Sequence, residues 1–482
     1  MRHEVGAREI RRRHRRGGGV EQPGLHGQHS HQARQDCATD NGRRHGLTVR
    51  ASASDTALVK NGPMPSDFIA DLAGFVAASP TSYHAAVEVA LRLEAAGFVR
   101  QRESAEWDAT PGGHYALRDG AVIAWRIPEG WQASQGYRIV GAHTDSPALK
   151  LKPNPVLKVA GWTQLGVEVY GGPLLGTWID RELGLAGRIT TRDGVVHLVR
   201  TGPILRVPHL APHLDRTLAD HVQLDKQQHL QPVFTVGDAP DLATLLLTSA
   251  GVPDAELAGY DIFTYAVQPP GLFGPNEEFL ASGRLDNLSS VHAGLRGLLN
   301  GASQGEAISV FAAFDHEEVG SATRSGAQGP FLSDVLSRTS AALGLSGDEH
   351  HRALAVSSCV SADAGHAVHP NYPNHHDPAN RPLPNAGPLL KINAMQRYAT
   401  DAVGSALWRQ ACHAADVPVQ EFVSNNAVPC GSTIGPFAAT QLGITTVDVG
   451  IPLLSMHSAR EMCGVADPPA LARALAAYWA AA

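Results

Sequence analysis

The sequence predicts an α/β protein: a central mixed β-sheet flanked by helices, interrupted by an inserted β-rich domain. Three observations predict it. Short apolar runs of strand type alternate with amphipathic helical runs on both sides of the chain's middle, the pattern of a sheet covered on both faces. From about Pro155 to Leu257 that alternation gives way to short β-type runs separated by Gly, Pro and Asp turns. Charge divides the chain as well. Residues 1–50 hold 11 Arg, no Lys and five acids, a net of +6, which leaves −13 for the remainder of a chain whose total is −7. The expected divisions are therefore a basic extension over 1–63, an α/β domain over 64–154 and 259–482, and the β-rich insert over 155–258.

The extension carries Arg8, Arg11, Arg12, Arg13, Arg15 and Arg16 before Gly17, and no aromatic residue precedes Phe68. So little apolar content cannot offset the entropy of ordering, and disorder is expected. A transit peptide would be richer in Ser and poorer in acids. A nucleic-acid arm is the weaker alternative. The favoured reading is upstream sequence, with the natural start at or near Met64. There the texture changes at once. Phe68, Leu72, Phe75 and Val76 recur at helical spacing behind Ser66 and Asp67, both capping types.

A second helix is expected after Pro80, from Ser82 or Tyr83 to about Ala96. Ala121 to Arg126 and Tyr137 to Ala142 read as strands. Within the insert, Val167–Tyr170, Gly187–Thr191 and Val195–Arg200 read as strands. Beyond it, strands are expected at Ala307–Phe314, Ala353–Cys359 and Thr445–Gly450. Helices are expected at Leu288–Leu299, Asp401–Ala415 and Pro469–Ala481. There is no convincing internal repeat.

Composition excludes several classes. A net charge of −7 is not that of a bulk nucleic-acid binder. No stretch of about 18 apolar residues exists, so no membrane span is expected. No apolar segment follows the basic start, so no secretory signal is expected. Cys37, Cys359, Cys412, Cys430 and Cys463 form no CxxC pair, which points to a reducing, cytoplasmic setting.

Five segments place metal-type ligands at the end of an expected strand or in the loop beyond one. They hold His143 in Gly-Ala-His-Thr-Asp-Ser-Pro, Asp286 in Gly-Arg-Leu-Asp-Asn, and Glu317-Glu318 in Asp-His-Glu-Glu-Val-Gly-Ser. The others hold Asp363 in Ser-Ala-Asp-Ala-Gly-His and His457 in Met-His-Ser-Ala-Arg-Glu. The Asp286 loop opens a helix. Open α/β sheets bind ligands beyond the carboxyl ends of their strands, so groups distant in sequence can converge. Taken singly, each has a bland reading: Asp286 or Asp363 as a turn residue or cap, Glu317-Glu318 as a solvated pair. Their equivalent positions favour convergence. Two imidazoles and several carboxylates without a thiolate suit a pair of divalent ions, Zn²⁺ or Mn²⁺. Such a pair needs a bridging carboxylate, a bridging water and a nearby base. Adjacent glutamates can divide that labour, one ligating and one taking the proton. Asp145, two residues after His143, is placed to fix that ring's tautomer.

The chain resembles the aspartyl-aminopeptidase family of dinuclear zinc metallopeptidases, over residues 64–482. The resemblance rests on Ala142-His-Thr-Asp-Ser-Pro, Val169-Tyr-Gly-Gly, Thr177-Trp-Ile-Asp-Arg, Pro208-His-Leu-Ala, Arg284-Leu-Asp-Asn and Asp315-His-Glu-Glu-Val-Gly-Ser. It also rests on Ala367-Val-His-Pro-Asn-Tyr, Gln396-Arg-Tyr, Pro429-Cys-Gly-Ser-Thr-Ile-Gly-Pro and Met456-His-Ser-Ala-Arg-Glu. It departs from the family in its basic extension, and in Ala364-Gly365, where Met-Ala is common.

The resemblance implies that one zinc takes His143, Asp286 and Asp363, and the other Asp286, Glu318 and His457, with Asp286 bridging. Mn²⁺ or Co²⁺ can substitute. It implies that Glu317 is the general base, and that Asp363, His366, Lys391 and Tyr398 contact substrate. His213, from the insert, would reach into a neighbouring subunit's site. The insert would be a dimerisation domain, and the dimers would build a homo-oligomeric dodecamer. The expected activity is removal of the N-terminal residue from peptides with a free N-terminus, with Asp or Glu preferred and Lys391 as a cation for that side chain. Three alternatives stand beside it: another two-metal hydrolase such as a carboxypeptidase or deacylase, a non-enzymatic scaffold, and nucleic-acid binding through the Arg-rich start.

Overall fold

The structure, a computed structural model, describes residues 66–219, 222–302 and 304–481. The basic extension and the expected start at Met64 lie outside the described residues.

The chain enters through helix Ser66–Ala78, whose Leu72, Phe75 and Val76 are fully buried and whose Asp67 sits in the first turn, where the helix dipole favours an acid. Helix Ser82–Ala95 buries Tyr83, Ala86, Val89, Ala90 and Leu93. Gly97 ends it at φ +83, with Gly97 N–H donating to Glu94 O and Phe98 N–H to Leu93 O. This is the paired closure that a left-handed residue permits at a helix C-terminus.

Nine strands form the central mixed sheet, in the order 99–100, 112–118, 121–127, 308–314, 137–143, 358–362, 445–450, 389–392, 420–423. The middle four (Ile308–Phe314, Tyr137–His143, Ser358–Ala362 and Thr445–Gly450) run parallel. Ile308–Phe314 is buried at every position. Its alternate residues feed two cores: Phe311 and Ala313 pack with helices Leu285–Gly301 and Asp467–Ala480, while Ile308, Val310, Ala312 and Phe314 pack with helix Phe331–Ala342. Burial on both faces is why this strand reads as one continuous apolar run.

One expected strand is corrected. Ala353–Cys359 does not form a single extended run. Ser346 and Glu349 make a reciprocal capping box that starts helix Gly347–Ala355, and that helix takes in Ala353, Leu354 and Ala355. The strand begins only at Ser358.

The insert is a closed barrel. Strands 148–159, 162–170, 182–191, 196–200, 205–206, 233–236 and 257–266 form one sheet, and 257–266 pairs with both 148–159 and 182–191. Closure pairs both edges of the strands in the ring, while 196–200 pairs only with 182–191 and lies outside it. The pairing begins at Ala148 and ends at Ala266, beyond both ends of the 155–258 segment that reads as β-rich in sequence. A third sheet, in the order 271–273, 279–282, 461–464, 452–454, 365–366, links the barrel's exit to the last ligand segment. Among the described residues no helix is long and apolar enough to cross a membrane.

Candidate metal centre

The four parallel strands aim their carboxyl ends at one place. His143 is the last residue of its strand. Asp363 directly follows Ser358–Ala362. Glu317 and Glu318 open a short turn just past Ile308–Phe314, and His457 lies beyond Thr445–Gly450 and the short strand Pro452–Leu454. Asp286 is the second residue of helix Leu285–Gly301, where non-helical angles at Asp286 and Asn287 redirect the chain. Four non-glycine residues beside the ligands, or among them, adopt left-handed angles: Arg284 (φ 62), His316 (φ 63), Ser455 (φ 58) and His457 (φ 66). Such conformations cost about 1–3 kcal/mol each and persist where surrounding contacts hold them. Half-buried Arg284 shows how: Nε donates to Ser79 O and Nη2 to Val76 O, anchoring the turn to the first helix.

The ligand atoms form two trios sharing one carboxylate. His143, Asp286 and Asp363 make one; Asp286, Glu318 and His457 make the other. His143 Nε2 is 3.4 Å from Asp286 Oδ1 and 3.6 Å from Asp363 Oδ1. His457 Nε2 is 3.3 Å from Asp286 Oδ2 and 3.5 Å from Glu318 Oε2. Each oxygen of Asp286 thus faces a different trio, as a bridging carboxylate requires. His143, Glu317 and Glu318 also lie within ligand spacing of one another, so proximity alone does not separate Glu317 from the ligands.

Both imidazoles are held in one tautomer. His143 Nδ1 lies 3.1 Å from Asp145 O, and His457 Nδ1 lies 3.0 Å from Gly172 O. A carbonyl only accepts, so Nδ1 carries a proton and Nε2 is the nitrogen that faces the cluster. The carboxylate of Asp145 lies on the Nδ1 side of the His143 ring, with Oδ1 3.4 Å from Nδ1. It accepts from Glu317 N–H (3.0 Å), Glu318 N–H (3.1 Å) and Tyr170 O–H (2.8 Å).

The electrostatics call for positive charge. Burial, with Asp363, Asp145 and Asp286 nearby, pushes Glu317 up to about 8. Burial and Asp286 push Glu318 well above the carboxylate range. Burial opposes charge on His457, yet Asp286 and Glu318 push it up to about 10. Among the described residues, buried Asp286 Oδ1 and Glu318 Oε1 have no hydrogen-bond partner. Buried acceptors left open, carboxylate crowding and two oriented imidazoles together fit divalent cations, with a donor set of N and O that suits zinc.

The remaining expected site residues divide. Lys391 is buried; its Nζ donates to Ala364 O at 2.7 Å and lies 3.8 Å from Asp363 Oδ2. Buried Tyr398 places its ring 5.3 Å from that ammonium. His366 and Tyr398 line a cavity with His375, His376, Phe422 and Asn425. His213 is exposed in the barrel segment after Leu205–Arg206 and is not among the groups that meet at the cluster.

Sequence reasoning gave no role to Tyr170, Gly172, Asn287 or Glu461. Asn287 Nδ2 donates to Ala362 O and its Oδ1 accepts from Ala364 N–H, strapping both sides of Asp363. Glu461 Oε2 accepts from Asp286 N–H and Oε1 from His457 N–H. Two tests arise from the barrel's contribution. Tyr170→Phe is expected to lower activity about 10-fold by removing one of the two donors on Asp145 Oδ2, with an unchanged circular dichroism spectrum. Gly171 has φ +71, and a Cβ there would lie 3.1 Å from Glu318 Cβ. Gly171→Ala is expected to cost about 1–2 kcal/mol in chemical denaturation.

Comparison with known proteins identifies the family. Residues 75–479 match the aminopeptidase I zinc metalloprotease (M18) family. The chain is 52% identical over 416 residues to a probable M18 family aminopeptidase 2 of Streptomyces coelicolor, covering 85% of this chain and 96% of that one. Its fold is similar to that in the cryo-EM structure of the Ape4 and Nbr1 complex, with TM-score 0.82, 34% identity, and 86% and 85% of the two chains covered. It is also similar to the S. cerevisiae mApe1 dodecamer, with TM-score 0.75, 28% identity, and 86% and 97% covered. A family match across nearly all of the described residues, laid over two imidazole–carboxylate trios, leads to one conclusion: the chain belongs to the M18 family of zinc metallo-aminopeptidases.

Proposed function

We propose that this protein removes the N-terminal residue of peptides at a two-zinc site and prefers Asp or Glu in that position. The observation that carries the reading is the shared Asp286, whose two oxygens face two separate ligand trios. His143, Asp286 and Asp363 would hold one zinc, and Asp286, Glu318 and His457 the other; Mn²⁺ or Co²⁺ could take their places. Bound zinc supplies a lowered water pKa and polarisation of the scissile carbonyl. Glu317 takes the proton of the attacking water and delivers it to the leaving amine. Its neighbour Asp145 holds the Glu317 backbone and, through its own carbonyl, the His143 ring.

The acidic preference draws support from positive and proton-donating groups beside Asp363: Lys391, and the cavity with His366, His375, His376 and Tyr398. Lys391 is already engaged with Ala364 and Asp363, and burial with Lys391 nearby pushes His366 down to about 4, so that imidazole would meet a substrate carboxylate as a neutral hydrogen-bond donor. The insert over 155–258, whose barrel pairing extends from Ala148 to Ala266, is proposed as the dimerisation domain of a dodecamer, with the α/β domain over 64–154 and 259–482 as the catalytic part. Exposed His213 would complete a neighbour's site. The unpaired cysteines Cys359, Cys412, Cys430 and Cys463 support a cytoplasmic setting.

The test is a panel of aminoacyl substrates, free and N-acetylated, given to metal-free protein with Zn²⁺, Mn²⁺ or Co²⁺ added. Metal-dependent cleavage of free-amine substrates only, fastest with Asp or Glu, is expected. Faster cleavage of acetylated substrates would favour a deacylase, and equal rates for Leu and Asp would end the acidic preference. His213→Ala is expected to lower activity without emptying the metal site. Mixing it with Glu317→Gln chains should recover part of that activity. No recovery after verified subunit exchange would exclude the role in trans.

A further inference from the structure

We propose that Glu461 is a positioning residue of the metal centre: a carboxylate that ligates nothing and sets the place of two ligands from behind. The proposal rests on the two-zinc reading.

Three observations carry it. The first is geometry. Glu461 Oε2 accepts from Asp286 N–H at 3.0 Å, and Oε1 accepts from His457 N–H at 2.7 Å. Its two oxygens therefore grip two segments remote in sequence, and both gripped residues belong to the same trio. The second is placement. Glu461 opens strand Glu461–Gly464, which pairs with Phe279–Ser282 so that Ser282 stands opposite Glu461. The pairing delivers the carboxylate to the turn that precedes Asp286, and Glu461 is 2% exposed there.

The third is the parallel with Asp145. That carboxylate grips Glu317 N–H and Glu318 N–H with one oxygen each. Four backbone N–H groups at the cluster thus end on two buried carboxylates, and neither carboxylate joins a ligand trio. A buried N–H must have an acceptor, and a carboxylate offers two at a fixed separation in one plane. Glu461 thereby couples the bridging ligand Asp286 to His457, whose left-handed backbone would otherwise relax. Gln cannot replace it, because its NH₂ would set a donor against one of the two N–H groups.

The test uses the full-length chain as Glu461→Gln and Glu461→Asp. Zinc content is measured against graded chelator, alongside kcat, KM and the melting temperature. Outer partners of metal ligands are worth about 10–100-fold in metal affinity or activity. Glu461→Gln is expected to release zinc at chelator concentrations about 10-fold lower than wild type. Its kcat should fall about 10–100-fold, with KM within threefold. Glu461→Asp keeps both acceptors on a shorter arm and should recover part of both losses. Folded variants with wild-type chelator resistance and kcat within threefold would overturn the proposal, even if they melt earlier, because Glu461 would then serve stability alone. If the Gln variant does not fold, the Asp variant decides on the same criteria. Fewer than two zinc ions in the wild-type chain would overturn the two-zinc reading. The Glu461 comparison would still be read from the chelator resistance of the zinc that is held.

Discussion

The Glu317→Gln chain is expected to keep its zinc and to lose about 10²–10⁴-fold in kcat, the usual worth of a positioned acid–base group. The substitution is nearly isosteric, so the backbone N–H of residue 317 should stay on Asp145. What it removes is proton affinity. Glu317 Oε2 lies 4.0 Å from His143 Nε2, at the margin of the first trio, whereas Asp286 and Asp363 approach that nitrogen more closely. Kinetics and zinc content should be measured on the same preparation. Activity within tenfold of wild type would remove Glu317 from the mechanism. Loss of zinc together with activity would make it a ligand, as its grouping with His143 and Glu318 allows.

The groups that converge were readable in the sequence because of where they stand. His143, Glu317, Glu318 and Asp363 each sit at or just past the end of an apolar run, and such runs become parallel strands whose carboxyl ends meet. The partners behind them were not readable. Tyr170 and Gly172 reach the cluster because Tyr170 pairs opposite Ala148, and Glu461 reaches it through pairing of Glu461–Gly464 with Phe279–Ser282. Nothing local in Tyr-Gly-Gly or Arg-Glu announces that pairing. The barrel's limits were hidden for a related reason. Ala148–Lys152 and Tyr260–Ala266 lie outside the 155–258 segment that reads as β-rich, yet Lys150 pairs with Phe263. At Ala353–Cys359 local chemistry decides: the Ser346–Glu349 capping box starts a helix that continues into a run that looks like a strand.

Asp286→Asn is expected to cost the most, because both trios depend on one carboxylate. Asp363→Asn removes a ligand from the His143 trio only, and His457→Gln removes one from the Glu318 trio only. Each of those variants should retain about one zinc. Asp286→Asn should retain neither, since an amide in its place is neutral and offers one oxygen where two are needed. Loss of the cations forfeits several kcal/mol of transition-state stabilisation, about 10³-fold or more in kcat at 1.36 kcal/mol per tenfold. Stability should follow the metal. A ligand that binds only the folded chain stabilises it by RT ln(1 + [L]/Kd), so added zinc should raise the melting temperature of wild type and leave that of Asp286→Asn unmoved. Elemental analysis of the three variants separates the readings. If Asp286→Asn holds one zinc, as the single-trio variants do, Asp286 does not bridge, and the two trios act as independent sites.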